Sequence, residues 1–199
     1  MSVSLVKGST ARKADHPVAP LFVDRWSPRA MSGAEIPLAE LTVLFEAARW
    51  APSAFNNQPW RFLYARRGTA HWPLFFDLLT ESNRTWNANA AALVLIISKT
   101  TFDHNGAPSR THSFDAGAAW ENFALQGALS GFVVHGMEGI DYERARVDLR
   151  IPDGYRVEAM AGVGVPAHAE TLPEPMRERE FPKGRRGLSQ TVCEGPFSL

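Results

Sequence analysis

Residues 48–62 read ARWAPSAFNNQPWRF and join two kinds of periodicity. Upstream, Pro37 opens a segment in which Leu38, Leu41, Phe45 and Ala48 recur at helical spacing, giving one apolar face that runs until Pro52 stops it. Downstream, Phe62-Leu63-Tyr64-Ala65 reads as a short strand. Between them lie a proline, a serine and the amides Asn56, Asn57 and Gln58, followed by Pro59-Trp60. A helix that hands over to a strand through such a loop points to a mixed chain, and the remaining segments extend that reading.

Ser27-Pro28 has the form of an N-cap followed by proline at the first helical turn, which predicts a short helix flanked by Arg25 and Arg29. Trp72 to Leu79 predicts a helix, and Leu93-Val94-Leu95-Ile96-Ile97 a strand buried on both faces. The run FDAGAAWENFALQGAL, residues 114–129, is helical and rich in small residues that permit close packing, with Gly131 placed as its stop. FVVHGMEGID, residues 132–141, is a strand ending in a glycine-bearing turn, after which Asp141 caps a charged helix. Val157, Ala159, Ala161 and Val163 alternate as a further strand. From Ala167 the chain is Pro-rich and charged and ends in a β-prone run, Leu188 to Cys193. Helices first and strands scattered among later helices make the class α+β, with no internal repeat. Residues 1–20 read as a flexible arm, 21–199 as one domain, and 171–199 as a tail suited to wrapping a partner.

Lys+Arg and Asp+Glu both number 21, so no net field recruits nucleic acid or an anionic membrane. The single cysteine, Cys193, excludes an intrachain disulfide. The opening residues lack the apolar core of a signal peptide and no apolar run is long enough to span a bilayer, so a soluble cytoplasmic protein is expected. The histidines show no metal-ligand spacing, and neither a dinucleotide nor a triphosphate glycine loop is present.

Four short pieces remain. RWSPR, residues 25–29, offers two guanidinium groups and a hydroxyl to a phosphomonoester, or is an exposed basic turn. In the opening stretch Pro52, Ser53, Asn56 and their neighbours either hydrogen-bond a heteroaromatic rim or cap a turn anchored by Trp60. At Met137-Glu138-Gly139 the glycine would let the main chain approach a planar ligand, or forms an ordinary turn. Lys183 to Arg186 is a second basic cluster or a solvated charge run.

In this order, and with the small-residue helix, the pieces resemble the nitroreductase family of FMN-dependent oxidoreductases. APSAFNNQPWRF is similar to that family's Ala-Pro-Ser-x-x-Asn-x-Gln-Pro-Trp segment almost letter for letter, RWSPR to its Arg-x-Ser-x-Arg/Lys signature, and KGRRGL to its C-terminal Lys-x-Arg. Trp26, Gly187 and residues 102–113 depart from the pattern. The resemblance implies a mostly antiparallel sheet flanked by helices, a C-terminal strand exchanged in a homodimer, and FMN as cofactor. Arg25, Ser27, Lys183 and Arg185 would hold its phosphate, with Trp26 alongside. Arg29 and Asn83 would lie at the pyrimidine edge of the ring, Glu138 and Gly139 beside it, and Pro52, Ser53 and Asn56 would arrive from the other subunit.

The same resemblance implies NADH or NADPH as electron donor and ping-pong reduction of a small acceptor such as a nitroaromatic or quinone. No catalytic acid, base or nucleophile is then expected from the chain, because the cofactor carries the chemistry. A different flavin reaction (dehydrogenation, dehalogenation or flavin breakdown) and non-catalytic flavin binding are the alternatives.

Overall fold

The computed structural model describes residues 3–198. Its centre is a four-stranded sheet of β1 (Trp60–Arg66), β2 (Ala92–Lys99), β3 (Val133–Met137) and β4 (Tyr155–Gly164), in the order β1-β2-β4-β3. All three pairings are antiparallel. The expected α+β class and antiparallel sheet therefore hold, with β1 and β2 each longer at both ends than their apolar runs alone.

Among the described residues seven helices accompany the sheet: α1 (Pro20–Asp24), α2 (Leu38–Arg49), α3 (Trp72–Phe76), α4 (Glu81–Asn87), α5 (His112–Leu129), α6 (Tyr142–Asp148) and α7 (Glu174–Arg177). Strand β2 explains why they lie on both faces. Its side chains alternate, Val94 and Ile96 packing with Leu44, Ala119 and Phe123 of α2 and α5, while Leu93, Leu95 and Ile97 pack with Phe75, Trp86 and Ala145 of α3, α4 and α6. A central strand buried on both sides needs this uninterrupted apolar run.

The small residues of α5 act as expected. A Cβ at Gly127 would come within 2.2 Å of Val134 on β3, so only glycine allows helix and strand this close. The helix ends where Gly131 adopts φ +77°, with its N–H bonded to Ala128 O at 3.1 Å and that of Phe132 to Gly127 O at 2.8 Å. These are the paired contacts of a glycine-terminated helix. Asp141 caps α6 through Arg144 N, also as expected.

Three local readings are corrected. No helix starts at Ser27-Pro28; the short helix α1 precedes it, and the N–H groups of Arg29 and Ala30 instead donate to the Glu180 carboxylate, at 2.8 Å for Ala30. A tail residue, 150 positions away, thus satisfies donors that a helix would have left free. The helix predicted over Trp72 to Leu79 ends at Phe76, and a separate helix, α4, follows from Glu81. The run Leu188 to Cys193 forms one 3-10 turn, Leu188–Gln190, with no strand partner among the described residues of this chain.

The opening residues dock on the chain. Trp26 Nε1 donates to Val6 O at 2.7 Å, Ser9 N to Asp24 Oδ1 at 3.3 Å, and Gly8 is buried against α1 and its flank. No helix among the described residues is long and apolar enough to cross a membrane.

Candidate active site

A cleft of about 930 Å³ lies over one end of the sheet between α5, α6 and residues 25–27. Arg25 and Ser27 stand at one end of it, Arg25 Nη1 donating to Ser27 Oγ at 3.2 Å and Arg25 Nε lying 3.7 Å from Glu121. Met137 and Glu138, where β3 ends, form another part of the wall. The floor includes Ala116 and Gly117 of α5, and a Cβ at Gly117 would meet nothing within 4 Å. Open space over a small-residue helix, with the Arg25 guanidinium and the Ser27 hydroxyl at one end, fits a flat ligand carrying an anionic tail.

The remaining sequence-derived candidates lie at various distances from this wall. Lys183 and Arg185 sit on the exposed tail near Arg25, linked to it by Arg12, whose guanidinium donates to Lys183 O at 3.1 Å and to Arg25 O. Trp26 turns to the N-terminal segment. Arg29 lies 3.7 Å from Glu180, which is almost wholly buried. Asn83 donates to Gly139 O at 3.0 Å and accepts from Trp86 Nε1 at 3.2 Å, so it braces the turn at Gly139. A Cβ on Gly139 would come within 2.6 Å of the Asn83 amide, so glycine is needed there for packing within the chain.

Pro52, Ser53 and Asn56 do not line the cleft of their own chain. Their loop is a local construction: Ser53 Oγ accepts from Gln58 N at 3.0 Å, and Ala54 N donates to Asp115 at 3.1 Å. Phe55, Asn56 and Gln58 all adopt positive φ, 54°, 51° and 48°, a left-handed backbone that non-glycine residues rarely take. Phe55 is 81% exposed, touched by the rings of Phe102 and His104. Asn57 pins residues 101–103 to the loop, donating to Thr101 O at 3.2 Å and accepting from Asp103 N at 2.8 Å.

Sequence reading missed the far wall of the cleft. Between Ile96 and Ile97 the β2–β4 register slips by one residue, leaving Glu158 as the extra residue of a bulge. Bulges of this kind re-aim a side chain, and Glu158 lines the cleft. Its carboxylate accepts from Ser113 Oγ at 2.8 Å and from Ser98 Oγ, and lies 3.5 Å from His112 Nδ1 and 3.8 Å from Arg156 Nε. Ser98 also lies 2.7 Å from His112 Nδ1. The one signal in the sequence was Ser98 itself, a hydroxyl ending an apolar strand. Tyr142, which also lines the cleft, has its phenol pushed above the usual range by burial and then by the negative charges of Glu138 and Glu158.

Behind the cleft, His135 of β3 packs at a tilt against Trp86 with ring centroids 4.6 Å apart and bonds Pro28 O through Nδ1 at 2.9 Å. Burial above all, reinforced by Arg29 and Arg25, lowers its pKa to about 4, so the imidazole is neutral and the Nδ1 hydrogen donates to Pro28. It holds the RWSPR segment against the sheet.

The Nitroreductase family model matches residues 23–165 of the chain. A crystal structure described as an oxidoreductase containing FMN is 47% identical, superposes with a TM-score of 0.91, and is matched over 94% of this chain and 96% of that one. A Desulfovibrio desulfuricans protein solved in complex with FMN and classed as a nitroreductase shares the fold, with a TM-score of 0.69 at 23% identity over 93% of this chain and all of its own length. A Streptomyces coelicolor protein provisionally named an NADH dehydrogenase/NAD(P)H nitroreductase is 34% identical over 91 residues, 46% of this chain and 45% of its own. The chain thus spans less than half of that curated relative.

Proposed function

Because the chain belongs to the nitroreductase family of oxidoreductases, we propose that it binds FMN, takes electrons from NADH or NADPH, and reduces a small aromatic acceptor such as a quinone or nitroaromatic. The observation that carries this reading is the cleft itself: Arg25 and Ser27 at one end, open space over Gly117, and the β3 terminus at Met137-Glu138 on one wall. A phosphorylated flavin needs a cation and a hydroxyl for its phosphate, room for its ring and a nearby polypeptide edge. When bound, the flavin supplies the hydride chemistry. The protein's part is to hold and orient. Arg25, Ser27, Lys183 and Arg185 hold the phosphate, with Trp26 beside them; Glu138 and Gly139 flank the ring through their main chain; Asn83 keeps that turn in place.

Arg29 and Asn83 belong on this reading to the pyrimidine edge, and Pro52, Ser53 and Asn56 to the site of a second subunit in a homodimer. Support for a second subunit comes from apolar side chains exposed on α2, α5 and the loop, among them Trp50, Phe55, Phe114 and Leu129. A single shared cleft implies ping-pong kinetics, the nicotinamide leaving before the acceptor enters.

The test is the absorption spectrum of the purified full-length protein followed anaerobically. A flavin spectrum that bleaches on adding NADH or NADPH and returns on adding a quinone supports the proposal; a bound flavin that neither donor reduces overturns the enzymatic part of it.

A further inference from the structure

Arg12 lies in the N-terminal segment, outside every motif by which the site was recognised, yet its guanidinium ties together the cationic end of the cleft. Nε donates to Val23 O at 2.8 Å, Nη1 to Lys183 O at 3.1 Å across 171 residues of chain, and Nη2 to Arg25 O. One side chain thus fastens the segment before α1, the start of RWSPR and the basic tail to one another. The docking is itself built in: a Cβ at Gly8 would come within 2.1 Å of Val23 O and 2.7 Å of Arg12 Nε, so only glycine allows the segment to close over Arg12. Trp26 Nε1 and the Ser9 bonds to Asp24 hold the same segment from either side.

The charge balance points outward. Burial, then Arg185, then Arg25 pull the Arg12 pKa below its ordinary value, and Asp24 alone opposes them. Arg12, Arg25 and Arg185 thus repel one another, with Asp24 near Arg12 and Glu121 beside Arg25 as the carboxylates among them, and an added anion would relieve that repulsion.

We infer that the N-terminal segment is a clasp on the phosphate end of the cofactor site: Arg12 positions Arg25 and the Lys183-bearing tail and adds its charge, so that a phosphorylated flavin is held in preference to an uncharged one. Arg12 is a positioning residue, since three of its five N–H groups are already committed to carbonyls. The inference rests on the flavin reading above, and the riboflavin arm of the test separates the two.

Full-length protein stripped of flavin is titrated by fluorescence with FMN and, separately, with riboflavin, which lacks the phosphate. Arg12→Ala is expected to weaken FMN about tenfold, the loss of a charge-assisted contact, while riboflavin affinity stays within about twofold. Gly8→Val, which unseats the segment without altering Arg12 chemically, is expected to reproduce that selective loss. Unchanged FMN affinity in Arg12→Ala, or equal weakening of both flavins, overturns the clasp while leaving the flavin site standing. Wild-type protein that binds neither flavin overturns the flavin reading and the clasp with it.

Discussion

Within the fifteen residues from Ala48 to Phe62, Trp60 and the loop tip at Phe55 are opposites. Trp60 opens β1, is 6% exposed, and packs with the α2 and α5 side chains of its own chain. Phe55 is 81% exposed in a left-handed backbone, in a loop held by a serine and an aspartate, and meets the edge-on ring of Phe102 and the tilted ring of His104. The anchor is explained by the chain that contains it. The tip, with its strain and its exposed aromatic, is not, and it is the part of the loop that the second subunit proposed above would cover. A similar contrast separates the apolar interior, which packs against its own chain, from Lys183 and Arg185 on the exposed tail, which the proposed function assigns to a ligand.

The strongest way to break this comparison is Trp60→Ala, which should cost about 3–5 kcal/mol as a large aromatic leaves the interior. Urea unfolding of the flavin-free protein measures it, and a loss under ~1 kcal/mol would place Trp60 with the exposed groups. His135 gives the next largest effect. Its folded pKa, about 4, is below the ordinary value near 6.5, so as pH falls through that window the unfolded chain binds a proton that the folded one refuses. Stability should therefore decline from about pH 6.5 down to pH 4, by up to about 3 kcal/mol from this group. The decline should shrink in His135→Gln; an NMR titration placing the ring pKa near 6.5 would remove the basis for it.

For the cationic candidates the order of effects reverses. Arg25→Ala or Lys183→Ala should weaken FMN by roughly one to two decades, about 1.5–3 kcal/mol, with little change in flavin-free unfolding. Unfolding losses that match the binding losses would make these residues structural. The smallest effect distinguishes the two halves of the loop. Ser53→Ala loses the bond from Gln58 N and should cost about 0.5–1.5 kcal/mol of stability, and both it and Asn56→Ala should also shift FMN affinity or the flavin potential. Stability changes alone in both variants would leave the loop tip with no role in the site.

Legibility followed the range of the interactions. The apolar periods of α2, β2, α5 and β4 could be read directly, because burial on one face or two imposes its pattern on consecutive residues. Asp141 as a cap and Gly131 as a stop were legible for the same reason, since their partners lie within five residues. The helix expected at Ser27-Pro28 was not formed, because Glu180 satisfies the donors of Arg29 and Ala30 from 150 residues away. Local signals could not show that competitor. Nor could they show Glu158, which faces the cleft only because a one-residue slip between β2 and β4 leaves it unpaired.

The sequence by itself determined the α+β class, the two-faced burial of β2, the stretch 52–60 as a family signature, and Arg25, Ser27 and Glu138 as candidates, all carried by residue type and short spacing. Only the tertiary structure decided that Arg25 and Ser27 share one cleft with Glu138, that Glu158 and Ser113 form its far wall, and that Arg12 binds the chain's first residues to its tail. The physical reason is that these are encounters between segments brought together by sheet pairing and backbone hydrogen bonds, and no local pattern of side chains records where a distant carbonyl or carboxylate will come to rest.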